Sequence, residues 1–176
     1  RSPSIGGKDS MSGTFENINV PPMLMAFGIT TVDAEKVISP ELKFEGNKLY
    51  LIKHTPLDNY MPDVEQLKAN WAYVNEQIEA ENIVSGYALG FGGIAEAICK
   101  MSFGNGLDAK INVDEKELFN YGYGSILVEA EGELDYPNAV LVGEVTDGED
   151  SELTINGVKF DLFDLMAANS AKFAQV

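Results

Sequence analysis

Apolar and polar positions along the 176-residue chain change period several times, and each change marks an element. Residues 22–32, "PPMLMAFGITT", run almost wholly apolar behind two prolines, which predicts a buried strand. Pro40 interrupts the next stretch, and "NKLYLIKHT" then alternates as a second strand. "HTPLDNYMP" has the composition of a loop. From Pro62 the period lengthens: Val64, Leu67, Trp71, Val74 and Ile78 recur at steps of three and four among acids, glutamines and a lysine. That spacing predicts an amphipathic helix whose stripe, Trp71 included, faces the core. Pro62 and Asp63 suit its first turn.

Further on, a strand near Ile83–Leu89 leads into "GFGG" at 90–93 and a helix with Ile94, Ile98 and Met101 on one face. The "GNG" at 104–106 stops it. "AKINV" reads as a short strand, and Asp114 and Glu117 stand at capping-box spacing for a brief helix. "SILVEAE" and "AVLVGEV" are two more strands with "GELDYPN" turning between them. "ELTINGVKF" is a hairpin on Asn156-Gly157, and "DLFDLMAANSAKF" closes the chain as an amphipathic helix. Strands and helices mix without βαβ alternation. The expected class is α+β: a layered domain with a mixed, largely antiparallel sheet covered by helices. No internal repeat, low-complexity tract or linker is visible.

Composition narrows the function classes. A 45% hydrophobic and 23% charged chain of this length can bury a core as one domain. A net charge of −16 repels nucleic-acid phosphates and anionic lipid, so neither is an expected partner, and solubility explains the acidity. The single cysteine, Cys99, excludes an internal disulfide and falls in an apolar helical pattern, where a buried, unreactive thiol is expected. The single histidine, His54, excludes a metal site built on histidines. No apolar stretch approaches bilayer length and no signal-peptide pattern opens the chain, so a cytoplasmic location is expected. The chain starts at Arg1 without an initiator methionine, which suggests a piece of a longer protein, although a processed or tagged end would look the same.

Two glycine-rich stretches are candidates for chemistry. "GGKDS" at 6–10 fails as a P-loop: Ser2 stands where the leading glycine belongs, and Asp9 follows Lys8 in place of a hydroxyl. A weaker reading remains, in which Gly6 and Gly7 allow close approach, Lys8 meets a phosphate, and Asp9, Ser10 and Ser12 bind hydroxyls or hold the loop. On spacing alone a polar loop is the better reading. In "GFGG", Gly92 and Gly93 precede a helix whose free amides could attract an anion, although glycine-rich helix entries are common. The acidic run "EVTDGEDSE" at 144–152 lacks EF-hand spacing and reads as a solvated turn. Asp33 and Glu35 lack companions for a metal site. No catalytic residue and no metal ligand emerge from spacing alone.

"GGKDSMSGTF", then "PPMLMAFGITTVDAEKVISPELK" and "GNKLYLIKH", closely resemble phosphoribosylformylglycinamidine synthase in its large single-chain form. "GYALGFGGIAEAICKMSFGNGLDAKI", "LFNYGYGSILVEAE" and "AVLVGEV" follow in the family's order, so the resemblance covers nearly the whole chain. It implies the second C-terminal-type domain of the aminoimidazole-ribonucleotide-synthase superfamily, over residues 21–176, with residues 1–20 a lead-in loop or strand from the preceding domain. It implies a carbon–nitrogen ligase of purine biosynthesis, converting formylglycinamide ribonucleotide to the amidine with ATP, magnesium and glutamine. Partners would be the other synthetase domains and the glutaminase domain; alone, the domain should be inactive, and self-association is left open. Gly7, Lys8, Asp9 and Ser10 match the family string and would face a nucleotide or phosphate. Many relatives carry Asp-x-Ser-Asp-Gly-Gly where this chain has residues 88–93, and both acids, which help hold magnesium, are replaced by Ala88 and Phe91. A methyl or phenyl group cannot ligate a hard cation, so an altered or structural nucleotide site is expected. The alternatives are a non-catalytic scaffold domain, or another member of the superfamily such as the cyclo-ligase or a selenophosphate or thiamine-phosphate kinase relative.

Overall fold

The structure is a computed structural model that describes residues 4–9 and 13–171, with the backbone alone at Ser4, Lys8 and Asp9. It divides into two compact units, Arg1–Val37 and Ile38–Val176.

In the smaller unit, β1 (Ser4–Asp9) pairs antiparallel with β4 (Leu24–Gly28), and β2 (Gly13–Phe15) forms a separate hairpin with β3 (Ile18–Val20). The apolar run at 22–32 therefore does contain a strand, but every residue of β4 is exposed, Leu24 by 84%. Among the described residues these two strands have no second layer of their own unit to bury against, and that is why the expected burial is absent. Asp33 caps a short 3-10 turn at Ala34–Lys36, accepting the Glu35 amide at 3.1 Å, so this acid has a local structural task.

The larger unit holds a seven-stranded sheet. Its strands are β5 (Lys48–Ile52), β6 (Ile83–Ala88), β7 (Asp108–Ile111), β8 (Ile126–Ala130), β9 (Ala139–Thr146), β10 (Glu152–Ile155) and β11 (Val158–Asp161). They lie in the order β11-β10-β7-β9-β5-β8-β6, with only the β10–β7 pair parallel. The α+β class with a mixed, largely antiparallel sheet is what the sequence pattern implies. β8 and β9 follow one another in sequence yet are separated by β5. Asn156 and Gly157, both at positive φ, make the two-residue turn between β10 and β11.

Alternation along β5 divides the core. Leu49 and Leu51 join the cluster containing Ile94, Ala97, Ile98 and Met101 of α2 (Gly93–Phe103), whereas Tyr50 and Ile52 join the cluster containing Val74 of α1 (Val64–Glu79). Helices thus cover both faces of the sheet. Each fully buried leucine, isoleucine or methionine contributes about 1.5–3 kcal/mol, so the α2 stripe is a main source of stability. α3 (Glu115–Leu118) begins at Asp114, whose side chain accepts the Lys116 amide at 2.9 Å. The Glu117 carboxylate pairs with Lys53 at 3.3 Å. α4 (Leu162–Ser170) follows β11 and buries only Leu162.

The α1 stripe is turned relative to its sequence reading. Trp71, expected in the core, is 52% exposed, and Asn70 is fully buried instead. Asn70 donates to the Lys53 carbonyl at 3.0 Å and accepts from the Tyr136 hydroxyl and the Asn138 amide. A buried amide with three partners costs little, and that network turns the neighbouring indole outward.

Candidate functional site

The chain enters the first candidate site from β6 through Leu89-Gly90-Phe91-Gly92, and α2 begins at Gly93. A second segment, residues 120–125, packs on this turn: the Gly122 amide donates to the Gly90 carbonyl at 3.2 Å and the Leu89 amide to the Ser125 carbonyl at 2.9 Å. Gly93 has φ +63, and a Cβ there would lie 2.6 Å from the Asn120 carbonyl oxygen. Its lack of a side chain is required by packing and by backbone geometry together.

The two glycine amides at this helix entry already have partners. Gly93 donates to the Gly90 carbonyl at 3.3 Å, and Gly92 donates to the Glu96 carboxylate at 3.1 Å. Glu96 also receives Lys100 at 2.5 Å and the Tyr87 hydroxyl at 3.5 Å. The Lys100 bond first, then the Gly92 amide, holds the Glu96 carboxyl below the ordinary carboxylate range. The positive end of α2 therefore faces a carboxylate of its own first turn, and an incoming phosphate would meet that negative charge. A magnesium ion fits poorly here as well. Positions 88 and 91 carry methyl and phenyl groups, and the nearby Glu96 is committed to three donors.

The other predicted residues lie in the smaller unit. Gly7, Lys8 and Asp9 form part of β1, opposite Ala26, Met25 and Leu24. "IGGKD" is thus a paired strand, and the strand packing gives Gly7 a role, because a Cβ there would stand 3.0 Å from the Met25 carbonyl oxygen. Ser10 and Ser12 lie outside the described residues. Gly7, Lys8 and Asp9 belong to one unit, and Gly92 and Gly93 to the other.

Among the described residues no group of three or more histidines, cysteines or carboxylates is placed to hold a metal ion. No helix among them is long and apolar enough to cross a membrane. Cys99 is half-buried, and burial pushes its thiol above the ordinary range, away from nucleophilic use at neutral pH.

Two buried carboxylates, Asp108 and Glu129, escaped sequence reasoning. Asp108 is 3% exposed, and its Oδ1 has no hydrogen-bond partner. Burial raises its pKa, against the Glu152 amide, and the charges of Asp147, Asp150 and Glu152 add to the rise. A carboxyl raised in the fold favours folding below its unfolded pKa and opposes it once pH passes the folded value. Asp108→Asn is therefore expected to raise Tm by a few degrees at pH 7, with the gain shrinking as the pH falls towards 4. Paired thermal melts at the two pH values check the sign.

No family model matches the chain. The PurL subunit of phosphoribosylformylglycinamidine synthase from Lactobacillus delbrueckii subsp. bulgaricus is 24% identical over 188 aligned residues. That alignment takes in 91% of this chain and 25% of the relative, so the chain spans about a quarter of the length of the curated relatives it matches. The fold superposes on PurLQS of Thermotoga maritima with TM-score 0.62 at 13% identity, over 79% of this chain and 28% of that one. In sequence and in fold the chain is similar to PurL. Thermotoga maritima PurL complexed with ADP superposes with TM-score 0.58 at 13% identity, over 80% and 28% of the two chains. Escherichia coli HypE, a hydrogenase maturation protein, shares the fold at TM-score 0.60 and 13% identity, over 83% and 58%. A PurL-like fold with PurL-like sequence is the common ground; the HypE likeness shows how widely the fold is used.

Proposed function

We propose that this chain is a C-terminal-type domain of a phosphoribosylformylglycinamidine synthase, the ATP- and glutamine-dependent ligase that converts formylglycinamide ribonucleotide to the amidine. The observation that carries the reading is the PurL alignment, which runs through 91% of this chain but a quarter of the relative. The domain works within a longer assembly and is inactive alone. Its partners are the remaining synthetase domains and the glutaminase domain. The smaller unit supports this, since Phe15 on the β2–β3 hairpin, Leu24 on β4 and Ile29 just after it are each more than half exposed. Such a surface also favours self-association of the chain when its partners are missing.

Within that assembly the phosphate-facing residues are Gly7, Lys8, Asp9, Ser10 and Ser12. By family resemblance the Gly92–Gly93 turn is also a candidate for nucleotide binding, but its role here is structural. The Glu96 cap and the side chains of Ala88 and Phe91 support that division, and no step is assigned to magnesium at this turn.

Calorimetric titration of ADP and of formylglycinamide ribonucleotide separates the readings. The 176-residue chain alone should bind neither. The same domain within a full-length synthetase should restore binding of both and support turnover with ATP and glutamine. Magnesium-dependent ADP binding by the chain alone would overturn the structural role of the turn. A full-length protein without amidine-forming activity would overturn the ligase reading.

A further inference from the structure

Trp71 stands outside the core for a reason that the ligase reading does not use. It lines a cavity of about 430 Å³ together with Tyr60, Tyr121, Tyr123, Pro56 and Pro62. Phe91 extends the aromatic surface, stacked on Tyr121 with ring centroids 4.8 Å apart. Exposed aromatic rings gathered on one hollow are costly in water unless something binds there.

The walls are held in place. His54, at the cavity floor, is 7% exposed; its Nδ1 lies 3.0 Å from the Tyr123 carbonyl oxygen, and its Nε2 accepts the Asp63 amide at 3.2 Å. One imidazole thus ties the 120–125 segment to the start of α1, with the proton on Nδ1. Gly124, at φ +88, lets the backbone close on His54 and Leu67, where a Cβ would stand 2.8 Å from His54 Nδ1. Tyr60 is the clearest sign. It is a bulky residue at φ +63, fixed by its amide bond to the Leu57 carbonyl at 2.8 Å and by the returning Leu57–Met61 bond at 2.9 Å. Strain of this kind in a 91%-exposed tyrosine serves no burial, and it persists where a side chain must be presented.

Charge selects the occupant. Among the described residues no lysine or arginine lines the cavity. Residues 55–66, which supply Pro56, Tyr60 and Pro62 to its wall, carry Asp58, Asp63 and Glu65 and no lysine or arginine. The flanking lysines are engaged, Lys53 with Glu117 at 3.3 Å and Lys68 with Glu65 at 2.8 Å. With a chain charge of −16 the field disfavours an anion, and π faces attract a poorly hydrated cation. The geometry points to a binding site for a soft organic cation, an alkylammonium or guanidinium head, seated among Tyr60, Trp71, Tyr121 and Tyr123. The head belongs either to a free small molecule or to a side chain of a protein partner.

Trp71 is the one tryptophan of the chain, so its emission reports on the cavity directly. Titration of the 176-residue chain with tetramethylammonium and with N-acetyl-arginine amide, at constant ionic strength, should give a saturable change. Tert-butanol, a neutral analogue of similar shape, should give none. Tighter binding of tetramethylammonium assigns the site to a free alkylammonium, and tighter binding of the arginine derivative assigns it to a guanidinium side chain; either outcome supports the site. Tyr121→Ala should weaken binding about tenfold, and Tyr121→Phe, which keeps the ring, by less than about twofold. Upfield ring-current shifts of the tetramethylammonium methyl protons test the contact in the unaltered chain, whatever the variants do to folding. Equal response to tert-butanol, binding of adenosine in place of the cations, or no saturable response to any probe would overturn the proposal. Each is independent of the ligase reading, which rests on other ligands and on the full-length protein.

Discussion

Glu129→Ala is expected to destabilise the larger unit by about 3–5 kcal/mol, the largest loss from any single substitution outside the apolar core. The residue is fully buried in β8, next to the strand that leads into the glycine turn. Oε1 accepts the Phe44 amide at 3.0 Å and the Asn47 side-chain amide at 2.8 Å. Oε2 accepts the Lys43 amide at 2.8 Å and the Ser85 hydroxyl at 3.0 Å. Four donors therefore replace the water that the carboxylate gave up, and they join residues 43–47 to β6 and β8. Alanine leaves all four facing a cavity, and each unsatisfied buried group costs about 1–3 kcal/mol. Glutamine keeps one acceptor oxygen but turns an amide NH2 towards two donors, so its loss should be intermediate. Against a total stability of about 5–15 kcal/mol, the alanine variant should melt roughly 10 °C lower, and urea denaturation should show the same order. A loss under about 1 kcal/mol for alanine would mean that water satisfies these donors as well as the carboxylate does.

Glu129 also marks where sequence reading stops. "SILVEAE" identifies β8 correctly, because β-branched and apolar residues announce a strand wherever it lies. Which strands flank it depends on pairings with β5 and β6, which lie far back in the sequence, and no local pattern carries that information. A lone glutamate in such a strand reads as a solvent-facing position. Its donors come from residues 43–47 and 85, far away in sequence. The α1 stripe failed for a related reason. Period alone cannot distinguish Asn70 from Trp71 as the inward residue, and the choice is made by Lys53, Tyr136 and Asn138 on other elements. α2 was legible throughout, since Ile94, Ile98 and Met101 are apolar at the spacing that burial requires. The strand at 24–28 was legible as a strand and illegible as an exposed one, because apolar content reports what a surface is built to meet, and here no described residue of its own unit covers it. The GKDSMS string named the relatives without revealing that Gly6–Asp9 lie in a strand, since a family signature carries ancestry and not conformation.

The glycine pair at 92–93 gives the second large expected effect. Gly93→Ala should cost about 2–5 kcal/mol, from the left-handed backbone it must adopt and from the contact its Cβ must relieve. That Cβ would lie 2.6 Å from the Asn120 carbonyl oxygen and 2.9 Å from that of Leu118. Both are backbone atoms, so no side chain can rotate to make room. α2 would have to withdraw from residues 118–120, loosening the Phe91–Tyr121 stack and the aromatic cavity beside it. The measurement discriminates between two uses of glycine at a helix entry. Were Gly93 there only to let a phosphate approach, the variant would fold normally and lose ligand binding alone. If glycine is there for packing, stability falls in the complete absence of ligand, and Trp71 emission shifts with it. The Glu96 carboxylate on the Gly92 amide favours the second outcome, because an anion cradle that already holds its own anion has no vacancy to protect. An unaltered melting temperature for Gly93→Ala, together with lost ADP affinity in the full-length protein, would return the turn to the nucleotide site.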